Sequence, residues 1–480
     1  MRRTVRRALL VASVTGMIGC ATSRPPAAPR PAPAVQVKAS TPAPAEAPAP
    51  KPAEAPAPKP VVVAPPPPPP AACGAPRPEL EHPPAAQVED PKGVMAPFYE
   101  AMARTLMAEE GAITRIGHWS DSTLAADGVS SYVRRRLQLA YGDAGHGYVL
   151  PNREIPHYGH RDIQRWSGGR WLNIPLVGGK THDARYGLGG WVSIGRKGGW
   201  FTLRTATKRS PVGLAMSKLH VYHLEGPQLG ELTVQLNGEP FALISTDAPE
   251  RRDAMATVTF PDGPHRISLR VHTSNRVRLY GVAVERDGPG FIYDSFGILG
   301  ALARRFKRVD PAHWKAHLGF RPHDLLLIQF GGNSIQDGGL SYTKYREDFR
   351  RLVRLFRDGR PETACMVLSP HDHGRRIRGG RIDTAPRMFK LMPIQREVAI
   401  EEGCAWFSVF DAMGGNGSMG RYYRKGMASS DLRHLRLKGA KAIANHLVDA
   451  LEHGFNAHLD TLDCPEAAED PGAPVPVDRL

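Results

Sequence analysis

The chain has 480 residues, a formal net charge of +16, 45 prolines and five cysteines. That length excludes one simple core and requires either a larger domain with an insertion or two domains. The basic balance suits an anionic polymer, a membrane face or nucleic acid; with an export signal and neither a zinc-finger spacing nor an RNA-binding motif, nucleic acid drops out.

Arg2, Arg3, Arg6 and Arg7 precede an apolar run from Ala8 to Ile18, followed by Gly19-Cys20. This is the order of a secretory signal. The run is shorter than the ~20 apolar residues a stable span needs, so residues 1–19 address the chain rather than anchor it. Met17-Ile18-Gly19-Cys20 resembles the lipobox of bacterial lipoproteins, which implies a lipid anchor on Cys20 after cleavage. Ala21 in place of an Asp implies, by the same resemblance, an outer-membrane lipoprotein facing the periplasm. From Ala21 to about Glu89 the chain is mostly Pro and Ala, with AEAPAPKP twice in tandem and a run of prolines from Pro65. Such a stretch cannot form a core and favours polyproline II. Residues 20–90 are therefore expected to be a disordered, semi-rigid tether, with a docking segment for an aromatic-lined groove as the alternative.

Past the tether, strand and helix signals alternate at both ends of the remaining chain. A strand is expected from Ile113 to Trp119, then a helix carrying Val129, Val133, Leu137 and Tyr141 at four-residue spacing. Between about Arg185 and Arg286 the period becomes two: Leu232, Val234 and Leu236 alternate with polar residues, as do Ile267, Leu269 and Val271. Asn237-Gly238 and Asp262-Gly263 are tight-turn pairs. Residues 185–286 read as a β-sandwich of the carbohydrate-binding-module type. Sugar binding there stays open, since Trp191, Trp200, Tyr222 and Tyr280 suit a core as well as a platform.

Beyond it, Leu325 to Phe330, Met366 to Leu368 and Ala405 to Phe410 are short apolar runs of the kind that form buried parallel strands. Tyr345, Phe349, Leu352 and Phe356 make one helical stripe before Gly359; Leu437, Ile443, Leu447 and Leu451 make another before Gly454. The fold class is α/β: a three-layer α/β/α domain built from residues 91–184 and 287–460, interrupted by the sandwich and followed by a tail over 461–480. Export makes the four cysteines besides Cys20 available for disulfides. Cys365 and Cys404 each open a short apolar strand run and can pair if those strands are adjacent and in register, and Cys73 and Cys464 flank the folded region; four free thiols are the equal alternative.

Four blocks carry chemistry, at strand ends where open sheets place their sites. His118-Trp119-Ser120-Asp121-Ser122-Thr123-Leu124 puts a Ser between a strand and a helix, where it serves as a nucleophile or merely as a cap. Tyr293-Asp294-Ser295-Phe296-Gly297 through Gly300-Ala301, and Gln329-Phe330-Gly331-Gly332-Asn333-Ser334, place Gly at strand ends, where a backbone N–H or the Asn amide can face a ligand. Ser430-Asp431-Leu432-Arg433-His434 spaces a carboxylate and an imidazole three residues apart, as a base and its orienting partner require.

In this order the blocks resemble the SGNH (GDSL-like) hydrolase family. The resemblance implies a flavodoxin-like fold, with Ser122 as nucleophile, Asp431 and His434 completing the triad, and Gly300 and Asn333 as oxyanion donors. Gly297 is the alternative to Gly300. Ser120 stands where the family usually has Gly, and is expected to be a packing residue. With a sandwich inserted between the first two blocks, and with Tyr141-Gly142-Asp143-Ala144-Gly145 and Asp294-Ser295-Phe296-Gly297, the chain also resembles bacterial peptidoglycan O-acetylesterases. That implies hydrolysis of acetyl esters on an acetylated glycan, peptidoglycan first. An O-acetyltransferase with the same residues and a catalytically silent wall-binding lipoprotein remain the alternatives. No metal or cofactor is expected: His371-Asp372-His373 has no recognisable third ligand, and His157, His160 and His182 have no assigned role.

Overall fold

Five short segments form parallel strands, which we label β1 (Ile113–Ser120), β2 (Gly290–Gly297), β3 (Leu325–Gln329), β4 (Ala364–Leu368) and β5 (Ala405–Phe407). The structure is a computed structural model, described here for residues 72–80 and 82–464. The leader, Cys20, the tandem repeats and residues 465–480 lie outside the described residues. In the sheet the order is β2-β1-β3-β4-β5, with Val88–Glu89 antiparallel on the β5 edge. The strand order reverses at β1, and in such sheets ligands sit beyond the carboxyl ends of the strands at that point.

Each strand is buried on both faces, so its period-two alternation divides two cores rather than core from solvent. Leu325 and Leu327 of β3 join Phe98, Val133 and Leu447, from the helices Ala96–Leu106, Gly128–Tyr141 and Leu437–Leu459. Leu326 and Ile328 join Trp314, Phe349 and Val398, from Pro311–Phe320, Tyr342–Gly359 and Met388–Glu401. This gives three layers. Each fully buried side chain of this size contributes about 1.5–3 kcal/mol.

Between β1 and β2 the chain builds two antiparallel sheets. One is ordered Glu239–Ser245, Glu231–Leu236, Arg266–Val271, Trp200–Thr205, Ile163–Gly168. The other is ordered Arg252–Gly263, Met216–Glu225, Val277–Glu285, Trp191–Gly195, Trp171–Pro175, with Gly145–Val149 also pairing to Val277–Glu285. Their facing sides share a core that includes Phe201, Leu203, Val221, Val234 and Leu269. Tyr222 and Tyr280 are buried, while Trp191 and Trp200 are partly exposed.

The antiparallel strands start at Gly145, forty residues before the expected boundary at 185. Gly145–Val149 is buried at every position and so shows no alternation, Ile163–Gly168 carries polar residues on both faces, and Trp171–Pro175 has no fully buried position. Order also begins earlier than residue 91: Ala72 is buried and Cys73 is bonded to Cys464. A second disulfide joins Cys365 to Cys404. Asn237-Gly238 turns as expected, both residues having positive φ, but Asp262-Gly263 continues a strand. Gly454 does not end the last helix, because its missing side chain makes room for Tyr99, whose hydroxyl would lie 2.1 Å from a Cβ there. At the start of that helix Leu437 faces outward.

A buried ionic joint ties the antiparallel sheets to the parallel one. Asp294 of β2 is fully buried and accepts from Tyr148 N at 2.6 Å, Arg321 Nη2 at 2.8 Å and His323 Nε2 at 2.7 Å. Arg321 Nη1 donates onward to Glu285 at 2.8 Å. Burial alone would raise the Asp294 carboxyl; the Arg321 charge and these bonds hold it well below the usual carboxylate range.

Candidate active site

Ser120 is the last residue of β1, fully buried, in register with Gly297 of β2 and Gln329 of β3. Asp121 then turns the chain: its Oδ1 accepts from Thr123 N at 3.1 Å and from Thr123 Oγ1 at 3.1 Å, capping the short helix Ser122–Ala125. That helix sits directly on Gly297, where a Cβ would meet Ala125 N at 2.5 Å. Only glycine allows this approach, so Gly297 serves packing beneath the turn. Asp127, in the left-handed region at φ 54°, starts the next helix and pairs with the fully buried Arg134, which also binds Asp162.

On the opposite side, Leu432 takes φ 58° and folds Asp431 back over the following residues. Asp431 Oδ1 accepts from Arg433 N at 3.1 Å and His434 N at 3.2 Å, and Oδ2 lies 2.5 Å from His434 Nδ1. His434 Nε2 is 3.1 Å from Ser122 Oγ. Ser122, His434 and Asp431 are thus brought into one hydrogen-bonded chain. It is open to solvent, with the His434 and Asp431 side chains 51% and 44% exposed. Partial burial pushes the Asp431 carboxyl up, but the bonds from the His434 ring and the two backbone amides outweigh it and hold it below the ordinary value. A carboxylate so held favours the tautomer with the proton on Nδ1, leaving Nε2 bare toward the hydroxyl.

Asn333 follows β3 in the helix Gly332–Ile335. Its Nδ2 donates to Ala301 O at 3.0 Å and to Asp121 Oδ2 at 3.2 Å, so both amide hydrogens are engaged. Gly300 follows β2 at φ 70°, and among the described residues no acceptor meets its N–H. Asp121 is buried and its carboxyl is raised by desolvation, which the bonds from Thr123 and the nearby His371 oppose.

His371, which the sequence left unassigned, belongs to this site. Its Nε2 lies 2.6 Å from the carbonyl of Arg433, between Asp431 and His434, and its Nδ1 is 3.5 Å from Thr123 Oγ1. It thereby bridges the two loops that carry Ser122 and His434. His373 Nδ1 lies 3.4 Å from Gln336, and the rings of His371 and His373 are 5.1 Å apart. Burial lowers the pKa of both, so both are neutral near pH 7. Asp372 accepts from Met419 N at 2.7 Å. The signal was a second histidine block at the end of an apolar run. His160 instead bonds to His146 O at 2.9 Å, and neither His157 nor His182 bonds to the Ser122 site. Elsewhere Asp253, His313 and His317 cluster at metal-ligand spacing. There His313 Nε2 accepts Gly187 N–H at 2.8 Å, and its Nδ1 lies 3.0 Å from Asp253.

No protein-family model and no curated protein matches the sequence. Among solved structures, a peptidoglycan O-acetylesterase aligns over 75% of this chain and 96% of its own at 22% identity and a TM-score of 0.64, and the chain shares that fold. A family two carbohydrate esterase from Cellvibrio japonicus aligns over 61% of this chain and 98% of its own at 11% identity; its TM-score of 0.24 bears no weight.

Proposed function

We propose that this chain is an exported serine esterase of the SGNH type that removes O-acetyl groups from a cell-wall or other extracellular glycan. The observation that carries the reading is the Ser122–His434–Asp431 chain, at 3.1 Å and 2.5 Å, at the switch point of a 2-1-3-4-5 sheet. The likeness in fold to a peptidoglycan O-acetylesterase supports the substrate class.

In this reading Ser122 Oγ attacks the ester carbonyl while His434 Nε2 takes its proton. The tetrahedral oxyanion is met by the N–H groups of Ser122 and Gly300. Asn333 joins them by exchanging its longer bond, the 3.2 Å contact to Asp121, for the oxyanion. His434 returns the proton to the departing sugar oxygen. Water, deprotonated by the same nitrogen, then releases acetate and restores the hydroxyl. Asp431 keeps the imidazole oriented and stabilises its charged form. The open position of the triad suits a group borne on a polymer. The leader and Cys20 put the enzyme on the periplasmic side of a bacterial outer membrane, anchored through lipid.

The test is acetate release from O-acetylated peptidoglycan and from a small chromogenic acetyl ester. Both are expected to be turned over, and Ser122→Ala to abolish both with the fold intact. Turnover that survives Ser122→Ala refutes the assignment.

A further inference from the structure

Next to the catalytic loop stands a two-stranded hairpin, Gly374–Arg376 against Ile382–Thr384. Its base is pinned at two points: Gly374 N donates to Leu432 O at 2.8 Å, and Ala385 N to His373 O at 2.7 Å. Leu432 lies between Asp431 and His434, so the hairpin is fastened to the loop that carries the base. It is strongly basic, with Arg375, Arg376, Arg378 and Arg381 all exposed. Among the described residues no carboxylate lies within ion-pair distance of any of the four, and none of their guanidinium groups has a hydrogen-bond acceptor. Asp383, the register partner of Arg375, turns to its own strand and accepts from Thr384 N at 3.2 Å. Arg376 lies over the Tyr423 ring, 5.4 Å from its centroid.

On the helix Tyr342–Gly359, Arg346, Arg350 and Arg354 are matched by Glu397, Glu401 and Glu402. Four unmatched guanidinium groups on one short hairpin repel each other at a cost in stability, and a local rule broken without internal compensation marks a functional element. The hairpin tip lies about four residues from its base, so at roughly 3.3 Å per residue it reaches about 13 Å from the catalytic loop.

We propose that the hairpin Gly374–Thr384 is a subsite for carboxylates on the substrate strand, which it grips beside the ester presented to Ser122. Guanidinium groups bind carboxylates with paired, charge-assisted hydrogen bonds. The inference rests on the esterase reading for the identity of the strand, a glycan carrying carboxylate-bearing peptides. It does not need the chemistry for its test.

Binding is measured by pelleting with O-acetylated peptidoglycan sacculi, using protein with Ser122→Ala so that the probe is not consumed. The comparison adds R375Q, R376Q, R378Q and R381Q together, checked by a melting temperature no lower than that of the parent protein. The expected result is at least a 10-fold weaker, less salt-sensitive binding to intact sacculi. On sacculi whose carboxylates have been amidated, the two proteins bind alike. Equal binding to intact sacculi, or an equal loss on amidated sacculi, overturns the proposal. So does a hairpin-dependent loss confined to anionic lipid vesicles. With Ser122 in place, the four-fold variant keeps its kcat/KM on a small neutral acetyl ester. No turnover of that ester by the parent protein refutes the esterase reading and leaves the pelleting comparison standing.

Discussion

Replacing Ser120 by Ala is expected to stabilise the protein and leave the esterase intact. Ser120 is fully buried in the last position of β1, and its Oγ meets no hydrogen-bond partner. An unpaired buried hydroxyl costs about 1–3 kcal/mol. The change keeps the Cβ and the backbone carbonyl that accepts Ile298 N at 2.8 Å, and gives up only a few dispersion contacts of about 0.1–0.2 kcal/mol each. The balance is a gain of about 1 kcal/mol. Urea unfolding reads it as a higher midpoint at unchanged slope, and kcat on a chromogenic acetyl ester should move less than two-fold. A loss of 1 kcal/mol or more would show that the hydroxyl has a partner, and a collapse of kcat would place it in the chemistry; either refutes its role as packing.

Asn333→Ala removes one oxyanion donor and is expected to lower kcat about 100- to 1,000-fold with little change in KM; a change under five-fold would show that Asn333 stays bound to Ala301 and Asp121 throughout. Burial lowers the pKa of His118 to about 3, His160 to about 3 and His317 to about 4. The unfolded chain, with histidines near 6.5, therefore binds more protons than the folded one below that pH. Stability is full above about pH 6.5 and falls as pH drops, by about 1.4 kcal/mol per unit for each such histidine, until the folded values are reached; denaturant midpoints that stay flat from pH 7 to 4.5 would contradict this. The Cys365–Cys404 bond closes a loop of 39 residues, worth about 4 kcal/mol in the chain-entropy model. Replacing both cysteines by Ala should show most of that loss. The unfolded, unreduced protein should offer no reactive thiol from Cys73, Cys365, Cys404 or Cys464, and four would refute both bridges.

The parallel sheet was legible because residues 325–328 and Ala364–Leu368 are uninterrupted apolar runs, and the helix stripes because Tyr345, Phe349, Leu352 and Phe356 all face the core. The start of the antiparallel region was not. Gly145–Val149 is short, rich in glycine and buried throughout, so its strand character comes from pairing with Val277–Glu285, which no local pattern encodes. Of the site, the spacing of Asp431 and His434 announced itself, since three residues on a turn bring both side chains to one side. His371 did not: its contact is with the Arg433 carbonyl, 62 residues away, and a backbone acceptor leaves no mark on sequence. Gly297 and Gly300 looked interchangeable as residues. They differ only through what lies above them, the Ala125 backbone over one, and at the other a positive φ with only the Val177 side chain at 3.6 Å.

The identity of the attacking residue is tested most directly by a fluorophosphonate, which captures a serine only when a neighbouring base activates it. The site geometry predicts a single adduct on Ser122, absent in Ser122→Ala, strongly slowed in His434→Ala and unaffected by Ser120→Ala. An adduct on Ser120 or on any other serine, or labelling that persists in Ser122→Ala, would contradict the account.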